Sequence, residues 1–106
     1  MELMELLRYV VSQNASDVFV SAGLPLSYRK NGVLYQVNED RLSPEDTEKL
    51  LEDVYKNAGE RKSDILQKTG DDDFSFAIPG LSRFRVSAYR QRGTYSAVIR
   101  IISFQL

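Results

Sequence analysis

Cysteine and histidine are both absent from the 106 residues. Without a thiol there is no disulfide and no thiolate nucleophile. Without an imidazole the commonest general base is gone, and with it the serine triads and most zinc sites. No apolar run approaches the roughly 20 residues that a membrane-spanning helix needs. The opening Met1-Glu2-Leu3-Met4-Glu5 is acidic and amphipathic, which is unlike a secretory signal. Neither G-x-x-x-x-G-K-[ST] nor G-x-G-x-x-G occurs, so these residues alone cannot assemble a phosphate-loop ATP site. These absences argue against a stand-alone hydrolase.

What is present is ordinary for one globular domain with a modest core: 42% apolar and 27% charged residues in 106. Stability on the order of 5–10 kcal/mol is expected. The net charge of −1 conceals an uneven distribution. Residues 1–38 balance three acids with three bases, and residues 39–73 hold twelve acids against six bases. Residues 74–106 carry five arginines and no acid. A segment whose only charges are arginines suits a phosphate or polyanion, or else faces the acidic middle of its own fold.

Leu3, Leu6, Leu7, Val10 and Val11 follow helical spacing and predict a helix over about 2–13, with Asn14 as a left-handed cap. Asp17 to Ser21 reads as a strand. Asn31-Gly32 between Leu26–Lys30 and Val33–Val37 is a two-residue hairpin signal, since a type I′ turn needs positive φ twice. Ser43-Pro44-Glu45-Asp46 starts a helix that carries Leu50, Leu51, Val54 and Tyr55 and ends at Gly59. A second helix is expected around 60–69. Asp73–Ile78, Arg83–Gln91 and Thr94–Ile102 alternate as strands, turned at Pro79-Gly80 and Arg92-Gly93. The fold expected is α+β: an antiparallel sheet of about six strands with helices packed on it.

Arg83 and Arg85 lie two apart on one strand and project from one face. Arg90 and Arg92 lie at the following turn, and Arg100 returns beside them if the hairpin closes at Arg92-Gly93. Five guanidiniums on one side of a sheet would repel one another unless an anion lay among them, and the guanidinium fork suits phosphate oxygens. Taken singly, each reads as a solvated outward residue or as a partner of Asp71, Asp72 or Asp73. Tyr28, Tyr35, Tyr89 and Tyr95 are either stacking platforms for bases or half-buried strand residues. Asp71-Asp72-Asp73 lacks the spacing of a calcium loop and reads as a solvated loop rather than a cation site. Asp17, after Ala15-Ser16, is either a ligand or a strand-start cap, and it reads better as the cap.

Asn14-Ala15-Ser16-Asp17-Val18, Ser21-Ala22-Gly23-Leu24-Pro25, Asp73-Phe74-Ser75-Phe76, Pro79-Gly80 and Arg83-Phe84-Arg85-Val86 together resemble the N-terminal domain of PilT-type ATPases. These are twitching-motility motors that retract type IV pili, within the type II/IV secretion ATPase superfamily. The resemblance runs from Leu3 to about Ser103. It implies a PAS-like N-terminal domain joined to a RecA-like core, in cytoplasmic hexamers that hydrolyse ATP with magnesium and act on the inner-membrane pilus machinery. It implies that nucleotide lies between the two domains and that N-terminal arginines reach its phosphates. By motif position the candidates are Arg83, Arg85, Arg90, Arg92 and Arg100. Phe19 stands where the family usually has histidine, Ser87 where it has asparagine, and Asn14 where it has glycine.

The chain stops at Leu106, about where a linker to the core would start. The resemblance therefore implies a single domain, 1–106, with the ATPase core outside it. No catalytic residue, metal ligand or cofactor is expected within the chain, and its partners would be the cores of its own and neighbouring subunits, not nucleic acid. The alternative is an independent module that binds single-stranded nucleic acid on an arginine and tyrosine face. A PAS-like small-molecule sensor is a third reading.

Overall fold

The computed structural model describes residues 1–59 and 61–103. Glu60, where the second helix was expected to begin, and Leu106, where a linker was expected, lie outside the described residues. The elements in order are α1 (Leu3–Ser12), β1 (Asp17–Val20), β2 (Pro25–Lys30), β3 (Val33–Arg41), α2 (Pro44–Asn57), α3 (Asp64–Thr69), β4 (Asp71–Ile78), β5 (Ser82–Gln91) and β6 (Thr94–Ile102). The strands form one antiparallel sheet in the order β3-β2-β1-β6-β5-β4, with the helices packed on it.

Helix α1 buries the predicted stripe of Leu3, Leu6, Leu7 and Val10. Just beyond its end lies Asn14, whose φ of 57° allows the Ala15 amide to donate to the Val10 carbonyl at 3.0 Å, while the Asn14 amide donates to the Val11 carbonyl at 3.0 Å. That pair of bonds caps carbonyls the helix leaves open. Helix α2 starts with a reciprocal cap: the Asp46 amide donates to Ser43 Oγ at 3.1 Å, and the Ser43 amide to Asp46 Oδ2 at 2.8 Å. Ser43→Ala removes one acceptor and is expected to cost about 1 kcal/mol. A thermal melt should show the midpoint falling by about 4–8 °C.

Both predicted two-residue turns are present. Asn31 and Gly32 have φ of 51° and 78°, and Arg92 and Gly93 have 53° and 80°. The second fixes the β5–β6 register, so that Arg85 faces Arg100 and Val86 faces Ile99. The core is built from the inward positions of these strands, among them Phe84, Val86, Ala88, Ala97, Ile99, Val18 and Val20, against α1 and α2.

Three boundaries differ from the sequence expectation. Helix α3 starts at Asp64 rather than near residue 60, because Arg61 turns inward to a buried carboxylate and its amide donates to the Tyr55 carbonyl at 3.0 Å. Strand β3 continues past Val37 to Arg41, since an irregularity between Pro25 and Ser27 lets the chain rejoin at the pair Pro25–Arg41. Strand β4 begins at Asp71, two residues early, and this turns Asp72 into the core. The expected solvated loop at Asp71–Asp73 is therefore a strand, with Asp72 only 6% exposed. Among the described residues, no helix is long and apolar enough to cross a membrane.

Candidate functional site

Along β5, Phe84, Val86 and Ala88 are buried while Arg83, Arg85 and Ser87 are exposed. The face opposite the helices is thus the one that carries the arginines. The registers lay out a row straight across it: Arg29 on β2, Asp17 on β1, Arg100 on β6, Arg85 on β5 and Ser75 on β4. One step along, Ile102, Arg83 and Ala77 form the next row. Adjacent strands lie about 4.8 Å apart, so these groups are immediate neighbours.

Asp17 is the only acid in the first row. It accepts from Ser16 Oγ at 2.7 Å and lies 3.7 Å from Arg100 Nε. Arg29 lies over the Phe19 ring, 5.1 Å from its centre. Among the described residues, Arg83 and Arg85 have no carboxylate within ion-pair distance. Arg85 and Arg100 stand directly opposite each other, an arrangement that costs stability when nothing anionic separates them. Beside them a shallow cleft of about 310 Å³ is lined by Asp73, Phe74, Ser75, Arg83, Arg85 and Ile102. Arrayed guanidiniums at the mouth of such a cleft can grip phosphate or carboxylate oxygens bidentately.

The structure does not gather all five predicted arginines. Arg83, Arg85 and Arg100 share the open face. Arg90 alternates with Arg83 and Arg85, and so has the parity of the buried Phe84, Val86 and Ala88. Arg92 sits in the hairpin turn, seven residues from Arg85, or about 23 Å at strand rise. The set divides because the strand period is two and β5 is long. Arg29, and the place of Asp17 beside Arg100, were missed in the sequence, since Asp17 meets Arg100 across more than eighty positions. The only local clue was that Asp17 and Phe19 alternate with Val18 and Val20.

The tyrosines do not interleave with the arginines. Tyr28 is buried, and Tyr35 stacks on it with ring centres 5.5 Å apart. Tyr95 pairs with Arg90 on the helix side, and of the four only Tyr89 shares the parity of Arg83 and Arg85 on the open face. The three adjacent aspartates do not converge either. Asp72 turns inward, and Asp71 and Asp73 take the other face. Asp17 stands at the start of β1 as expected.

On the helix side, Asp72 accepts from Arg61 Nη2 at 2.8 Å, Arg61 Nε at 3.0 Å and Tyr55 Oη at 3.0 Å. The Arg61 hydrogen bonds hold the carboxyl below the usual aspartate range, against the opposing effect of burial. Burial, then the bond to Asp72, pushes the Tyr55 phenol up. Arg61 also stacks on Phe74 with 5.0 Å to the ring centre. This cluster ties α2 and the segment before α3 to the edge strand β4, and it supports the sheet that displays the arginines.

No family model matches the chain. The chain is 37% identical over 102 residues to the type IV pilus retraction ATPase PilT of Pseudomonas aeruginosa, and 36% identical over 102 residues to the type IV pilus ATPase PilU of the same organism. Each match covers 96% of this chain but only 29% and 26% of those proteins. The chain thus spans less than a third of the length of the curated relatives it matches. A crystal structure of the pilus retraction motor PilT with bound ADP superposes over the whole chain, with a TM-score of 0.84 and 32% identity, and this chain covers 30% of it. The Legionella pneumophila ATPase DotB shares the fold at a TM-score of 0.67 and 23% identity, over 94% of this chain and 28% of that one. The chain is an N-terminal domain of the PilT-like secretion-ATPase type.

Proposed function

We propose that the chain is the regulatory and assembly domain of a cytoplasmic, hexameric pilus-retraction ATPase, inactive alone, and that its open face serves the nucleotide site between it and a RecA-like core. The observation that carries this reading is the cross-strand pair Arg85–Arg100, with Arg83 beside it, on a face that no helix covers among the described residues. Guanidiniums preorganised in this way offset charge that develops on a transferring γ-phosphoryl group. The likeness to a motor solved with ADP supports the same reading. In the longer protein, ATP with magnesium would be held by the core. Packing of the face on that core would pass hydrolysis on as a domain rotation, and through it to the inner-membrane pilus machinery.

The test is alanine substitution of Arg83, Arg85 and Arg100 in turn in the longer ATPase, with Arg90 and Arg92 as comparisons. Turnover should fall for members of the first group and hold for the second. The 106-residue chain itself should hydrolyse no ATP above the buffer background, because it has no phosphate-binding loop. Turnover that survives repeated purification would contradict this.

A further inference from the structure

Asp17 is held more firmly than the arginines around it. Ser16 is locked between two strands: its amide donates to the Arg29 carbonyl at 2.8 Å, and its carbonyl accepts from the Ile101 amide at 2.9 Å. The Ser16 hydroxyl donates in turn to Asp17 Oδ2 at 2.7 Å. Asp17 Oδ1 lies 3.7 Å from Arg100 Nε. The side chain of Asp17 is 13% exposed and that of Arg100 69%, so the acid is the fixed partner of the pair. Asp17 is in register with Arg29 on one side and Arg100 on the other. Arg29 lies over the Phe19 ring, and among the described residues Arg100 is the only base within ion-pair distance of Asp17.

We infer that Asp17 is a positioning residue: it holds Arg100 from the Nε side and so aims the Nη1–Nη2 edge of that fork at a phosphate, a role that rests on the nucleotide reading of the open face. Nε carries one N–H and the two Nη atoms carry four, so an acid at Nε leaves most of the donors for a second anion. Without the acid, Arg100 would face only the like charge of Arg85 directly opposite. A long, exposed side chain would then gain freedom by swinging into water. Asp17 offsets both tendencies before any nucleotide arrives.

Positioning and plain charge predict opposite signs. Asp17 is the one acid in a row with Arg29, Arg100 and Arg85. If it acted only through the field, neutralising it would make the face more positive, and turnover would hold or rise. If it aims Arg100, neutralising it slows the chemical step while ATP binding holds or tightens.

The experiment is steady-state ATP hydrolysis by the longer ATPase carrying Asp17→Asn, Asp17→Glu, Arg100→Ala, Arg85→Ala and the double variant Asp17→Asn/Arg100→Ala. Asp17→Asn should lower kcat about three- to tenfold, with ATP affinity unchanged or higher. Asp17→Glu keeps an acceptor for Nε and should recover part of the loss. The double variant should match Arg100→Ala alone, because the acid acts through that arginine. The 106-residue Asp17→Asn chain should melt within about 4 °C of wild type, since the pair is largely exposed. Turnover of Asp17→Asn at or above wild type, with Arg85→Ala and Arg100→Ala slowed, overturns the inference and leaves the reading of the face standing. So does an equal further loss on the Arg100→Ala background, which would mean that Asp17 acts through something else. Wild-type turnover in both arginine variants overturns that reading, and the inference with it.

Discussion

Asp72→Ala is expected to lower stability by about 2–3 kcal/mol near neutral pH. The carboxyl side chain is 3% exposed and that of Arg61 is 34% exposed. Removing the acid leaves the Tyr55 hydroxyl buried without its acceptor and a half-covered guanidinium without its counter-charge. Breaking a fully buried pair costs about 3–5 kcal/mol, and the partial exposure of Arg61 reduces that figure. For a domain of this size the melting midpoint should drop by about 10–20 °C. The pH dependence distinguishes this from a simple packing loss. Asp72 is held below its ordinary value, so its contribution is complete above about pH 4 and is lost as acid drives the pH through the folded value. The gap between wild type and variant should therefore narrow progressively as the pH falls below about 4. Tyr55 is raised, so its share is complete below about pH 10 and is lost above it. Melts that stay a constant interval apart from pH 2 to 11 would show that the cluster acts through shape alone.

Arg85→Ala in the longer ATPase has the largest expected effect on activity. Arginines supplied to nucleotide sites are worth ~10³–10⁵ in rate in the best cases. This face is open and shares its charge among Arg83, Arg85 and Arg100, so the expected loss is about tenfold to a few hundredfold. A guanidinium that meets the γ-phosphate only when the domains close acts on the chemical step. The loss should therefore appear in kcat, with a smaller change in nucleotide affinity. Lysine should restore little, because it offers a point charge in place of the fork. Arg100 has Asp17 beside it, so Arg100→Ala frees a carboxylate on the same face and combines two effects. Arg85 has no such partner among the described residues and is the cleaner probe. Surface arginines contribute little to stability, and removing Arg85 relieves its repulsion with Arg100, so the isolated Arg85→Ala chain should melt at or slightly above the wild-type midpoint.

The parts of this fold that were legible in the sequence are those written in local signals. Asn31-Gly32 and Arg92-Gly93 fix their turns through positive φ, and once the second is placed, counting by twos puts Arg85 opposite Arg100. The helix caps at Asn14 and Ser43 follow from short-range hydrogen bonding. The readings that went astray depended on distant pairing or on one extra residue of strand. Asp17 joins the arginine row only because β1 lies between β2 and β6. Asp72 becomes a buried partner of Arg61 because β4 starts at Asp71, and with that start it shares parity with Phe74 and Phe76. A strand begun at Asp73 hides that parity. Arg90 was grouped with Arg83 and Arg85 by nearness in sequence, although its odd spacing from both already put it on the other face.

The arginine face is tested most directly by a paired measurement of steady-state ATP hydrolysis in the longer protein, comparing Arg85→Ala with Arg90→Ala. The two residues lie on one strand and differ in which face they take. The expected result is a kcat reduced about tenfold or more for Arg85→Ala and within about twofold of wild type for Arg90→Ala. Equal turnover in both variants, at the wild-type level or equally reduced, would contradict a phosphate role for the open face and leave it a solvated surface.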